Sequence, residues 1–208
     1  MFSFVHGSEK REEIMRFMAL MLPAVAIQTD ARAGQVTVYV QDFPVAPVPV
    51  LSRAQTLANE IFARASVKID WRRGAPSQAI LQYERPILVE MASHTPSRLS
   101  PGALAFSLPT EGVRITVFYD RVQEATASDN PTADVLPDHV LVHEITHILQ
   151  GTCRHTGSGV MKVLWTQKDI RGMSRRPLAF TKEDVRLIET GLARRADART
   201  LIAATPVR

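Results

Sequence analysis

A chain of 208 residues is long enough for one well-packed domain and short for two. With 45% hydrophobic and 22% charged residues it is not a disordered or low-complexity protein, and its single cysteine, Cys153, excludes an intramolecular disulfide. The formal net charge of +4 sits near the C-terminus, where positions 168–199 hold nine Lys/Arg against five Asp/Glu; this reads as a solvated helix face, and no nucleic-acid partner is expected.

The start of the chain has the form of an export signal. Lys10, Arg11 and Arg16 precede an apolar run from Phe17 to Ile27, and Ala31-Arg32-Ala33 supplies a small-x-small exit. The run is too short for a stable membrane span. The expected organisation is a signal peptide at 1–33, cleaved near Ala33, and an exported (periplasmic or extracellular), monomeric domain at 34–208.

Within that domain, Val36, Val38 and Val40 alternate with Thr37 and Tyr39, which predicts a strand over 35–41. Prolines from Pro44 to Pro49 predict an extended link. Ser52 and Gln55 form a capping-box pattern, and Leu57, Ala58, Ile61, Phe62 and Ala65 follow at helical spacing. Strands are expected at 67–71, 87–91, 103–108 and 113–119, followed by a polar, irregular stretch over 123–134. Asp134 is the expected cap for a helix that tolerates Pro137 in its first turn and stops at Gly151. A last helix starts near Thr181. The order predicts an α+β domain, with a backing helix and a second helix against one twisted mixed sheet.

That second helix carries His143-Glu144-Ile145-Thr146-His147, an H-E-x-x-H motif. Two histidines four apart share one helix face, so both rings can reach one zinc ion, while Glu144 can reach a water on that ion. Zinc brings the pKa of such a water to about 7, and Glu144 is positioned to take its proton as general base. A chance match in a chain this long is on the order of 1%. Apolar Val140, Leu141, Val142, Ile145, Ile148 and Leu149 around the motif place it in a buried helix. A catalytic site needs a third protein ligand. His155 follows Gly151, which lets the chain reverse; Cys153 and Glu183 also satisfy part of the requirement.

The glycine after the motif, the following His155 and then Met161 resemble the metzincin clan of zinc metalloproteases, in which a third histidine and a methionine-containing turn complete the site. The spacing departs from that clan. Gly151 and His155 lie eight and twelve residues after His143 rather than seven and ten, and Cys153 holds the ten-residue position. The stretch HEITHILQGTCRHTGSGVMKVLW, with Val36–Val40, Ala65–Trp71, Val117–Arg121 and Phe180-Thr181, is similar to uncharacterised exported bacterial proteins described as zinc-dependent proteases of acidobacterial type. The resemblance implies a single metzincin-like domain, one catalytic zinc on His143, His147 and His155, Met161 as the turn methionine, and a peptide or protein substrate. The alternative function is a zinc-binding or structural protein on the same fold without catalysis.

Overall fold

Alternating valines build the first strand of the computed structural model, which describes residues 34–41, 46–100, 102–110, 113–126 and 135–204. The expected leader at 1–33, part of the proline link and the Asp134 cap lie outside these residues. β1 (Gly34–Val40) buries Val36, Val38 and Val40 against the helices. It lies between β2 (Val67–Arg73) and β3 (Ile87–Ala92), parallel to both. β5 (Arg114–Phe118) continues the parallel run beside β3, and β4 (Ala105–Ser107) pairs antiparallel at the outer edge of β5. The resulting order, β2-β1-β3-β5-β4, is a five-stranded mixed sheet.

One face of this sheet is covered by α1 (Val48–Ala63) and α4 (Leu136–Gln150). Ile61 and Phe62 of α1 join Val38, Val89, Ile115, Ile145 and Ile148 in a continuous core. Arg53 of α1 donates to the buried Asp138 of α4 at 3.0 Å. α1 begins at Val48, ahead of the expected Ser52 cap. Pro47 is its N-cap and Pro49 falls in the first turn, where a missing N–H costs nothing. Ser52 and Gln55 therefore lie inside the helix.

Three short helices were not expected: α2 (Gln78–Glu84), α3 (Tyr119–Thr126) and α5 (Gln167–Met173). Each has too few turns for hydrophobic periodicity to register. Two of them have local caps nonetheless: Ser77 accepts from the Ile80 N–H, and Thr166 with Asp169 forms a capping box. The strand expected to reach Tyr119 stops at Phe118, because Tyr119 already begins α3.

α6 (Lys182–Ala204) crosses the C-terminal end of α4 at Gly191. A Cβ at Gly191 would stand 1.7 Å from the Leu149 carbonyl oxygen, so any side chain must push the helices apart. Gly191→Ala is therefore expected to destabilise the protein by about 3 kcal/mol, the upper end of the usual overpacking cost, because the clash is with backbone. For a chain of this size that lowers the melting temperature by roughly 6–12 °C. An unchanged melting temperature in calorimetry would show that α6 slides without cost.

Candidate metal centre

α4 is the element that carries the site. Among the described residues no side chain caps its first turn, and its last residue hands over to Gly151, whose φ of +66° is the left-handed exit that favours glycine. The Gly151 N–H returns to the His147 carbonyl at 2.9 Å. This reversal lets the following loop bring His155 back over the helix.

His143, His147 and His155 form the one group of histidine, cysteine or acidic side chains, among the described residues, whose donor atoms converge as a metal ion requires. The Nε2 atoms of His147 and His143 are 3.0 Å apart, and those of His147 and His155 are 3.3 Å apart. Tetrahedral zinc bonds of about 2.0–2.1 Å place two ligand nitrogens roughly 3.3 Å apart, so the donor set fits that ion. The opposite ring nitrogens are fixed by backbone. His143 Nδ1 donates to the Val160 carbonyl at 2.8 Å, and His147 Nδ1 donates to the Thr152 carbonyl at 2.9 Å. Holding the proton on Nδ1 leaves the Nε2 lone pair for a metal. Desolvation lowers the pKa of His143, and it lowers that of His147 to about 4, with repulsion from His143 adding to the effect. Both rings are therefore neutral donors near pH 7.

The Val160 carbonyl belongs to a tight turn that also contains Met161. The Thr156 N–H donates to the Met161 carbonyl at 2.8 Å, and Thr156 pairs with Lys162. Gly159, at φ +76°, sits where a Cβ would meet the Ala179 carbonyl oxygen at 2.4 Å. Met161 is fully buried. Trp165, just after the turn, sets its ring edge-on to His143 at 5.6 Å.

Glu144 lies on the adjoining face of α4. Its Oε2 accepts a 2.6 Å hydrogen bond from the Ser107 hydroxyl of β4. Desolvation pushes the Glu144 carboxyl up from its ordinary value, and the Ser107 hydrogen bond draws it back in part. No sequence signal marks Ser107, which lies 37 residues upstream and reaches Glu144 only through sheet pairing.

The backbone of Ser107 is equally placed. The Phe118 N–H donates to the Leu104 carbonyl at 2.9 Å, which fixes the bonding parity of the β4–β5 ladder. Leu104 and Phe106 turn their backbone groups towards β5, and Ala105 and Ser107 turn theirs to the outer edge. Beside this edge a cavity of about 590 Å³ runs along Leu104, Ala105, Val140, His143, Glu144 and Trp165. Val163 and Leu164, each 72% exposed, also line it.

The other two ligand candidates, Glu183 and Cys153, are elsewhere. Glu183 accepts from Arg154 at 2.6 Å and from Arg186 at 2.7 Å, and these partners hold its carboxyl down to about 2. It thus ties the loop before His155 to α6. Cys153 is exposed and outside the histidine group. His139 is fully buried and satisfied: its Nδ1 donates to the Val135 carbonyl at 2.9 Å and its Nε2 accepts from the Leu178 N–H at 3.2 Å. Tyr119 packs in the core, where burial raises its pKa.

No family model and no curated protein matches the chain. Among solved structures, the chain is similar to archaemetzincin from Methanopyrus kandleri, with 17% sequence identity, a TM-score of 0.49, and coverage of 78% of this chain and 98% of that one.

Proposed function

We propose that the protein is a zinc-dependent peptidase with His143, His147 and His155 as metal ligands and Glu144 as general base. The observation that carries this reading is the convergence of three imidazole Nε2 atoms beside a carboxylate that lines a cavity. When bound, zinc supplies a Lewis acid that polarises a carbonyl and acidifies a water.

The chain's own residues do the rest. A peptide added to the outer edge of β4 would meet the N–H and C=O groups of Ala105 and Ser107, which are spaced to pair with an extended backbone. One side chain of that peptide then enters the cavity, whose Leu104, Val140 and Trp165 walls suit a large apolar group. Glu144 takes a proton from the attacking water and later returns one to the leaving amine. Met161 acts through its turn, which supplies the Val160 carbonyl that orients His143.

The test is metal analysis of the purified protein and a peptide-library digest with and without chelator. One zinc per chain and chelator-sensitive cleavage are expected. Zinc without any cleavage would favour a binding or structural role instead.

The same reading includes export. None of the described helices is long and apolar enough to cross a membrane. Expressed with its leader, the protein is expected outside the cytoplasm with an N-terminus near Gly34. Mass spectrometry that finds residues 1–33 intact on the exported protein would overturn this.

A further inference from the structure

Resting on the reading of Glu144 as base, we propose that Ser107 is a positioning residue that aims this carboxylate and ties its aim to the register of the bound peptide. The hydroxyl-to-carboxylate distance of 2.6 Å is that of a charge-assisted hydrogen bond. A glutamate left to itself is poorly aimed, because its terminal torsion is broad and its side chain loses substantial entropy on fixing. Ser107 removes that freedom by holding Oε2. Oε1 is then the oxygen that meets the water and takes its proton, while Ser107 keeps its own proton throughout.

The position of Ser107 on the edge strand gives the hydrogen bond a second consequence. Its side chain points back to Glu144, and the ladder parity turns its N–H and C=O outwards. A peptide that pairs with those groups is therefore indexed to the same residue that aims the base. A peptide bound one residue out of register would face the wrong backbone groups. Alanine at this position keeps the backbone edge and loses the aim, which separates the two contributions.

The experiment compares Ser107→Ala and Ser107→Thr with the parent, all zinc-loaded. Ser107→Ala is expected to keep its zinc and its KM but lose roughly ten- to hundredfold in kcat, the loss of one hydrogen bond to a charged group. Ser107→Thr, which retains the hydroxyl, is expected to recover most of it. An independent readout is the infrared carboxylate band of Glu144, assigned with 13C-labelled glutamate and the Glu144→Gln variant. That band is expected to shift in Ser107→Ala and to return in Ser107→Thr. An unshifted band, a kcat within about twofold of the parent, or a raised KM at constant kcat would overturn the proposal. If the parent cleaves no peptide, the peptidase reading fails and the infrared band alone decides the role of Ser107.

Discussion

Glu144→Gln is expected to keep about one zinc per chain and the parent's fold, and to lose between about a hundredfold and ten-thousandfold in peptide hydrolysis. Glutamine has nearly the same shape and can still accept the Ser107 hydrogen bond, so the edge strand and the histidines stay in place. What it cannot do is bind the proton taken from water. Desolvation raises the proton affinity of the native carboxylate, and the Ser107 hydroxyl limits the rise. Circular dichroism and metal analysis check that the variant is intact, and steady-state kinetics on a library-derived peptide measure the loss. Equal rates for variant and parent would mean that another group is the base.

His155→Ala is expected to lose most of its zinc at micromolar free metal, whereas Cys153→Ser and Glu183→Gln keep theirs. The three residues were alternatives on sequence grounds, and the structure separates them by place. His155 brings its Nε2 within 3.3 Å of that of His147, while Glu183 is engaged by Arg154 and Arg186 and Cys153 stands outside the group. His143→Ala and His147→Ala are expected to be at least as damaging, because each removes a ring already oriented by a backbone carbonyl. X-ray absorption should show nitrogen and oxygen neighbours at about 2.0–2.1 Å and no sulfur near 2.3 Å. A sulfur shell would transfer the third position to Cys153, and a zinc-replete His155→Ala would remove His155 from the site.

Ser107 and His155 also mark what spacing along the chain does not carry. The strand at Val36–Val40, the backing helix, the α4 helix and its exit at Gly151 all follow from spacing along the chain. Periods of two and of about 3.6, and a glycine in a left-handed turn, are local properties. For the same reason His143, Glu144 and His147 could be read together, since one helical turn places them. α1 starts ahead of the Ser52 pattern because two signals compete, and the prolines at the entry outweigh a cap pattern inside the helix. Only the tertiary structure joined Ser107 to Glu144, the Thr152 and Val160 carbonyls to the two histidine rings, and Gly191 to the Leu149 carbonyl. In each case at least one partner is a backbone group, or a small residue typical of any loop or strand. Its identity carries no spacing signal, and the contact exists only once the chain has reversed and the sheet has placed β4 above α4.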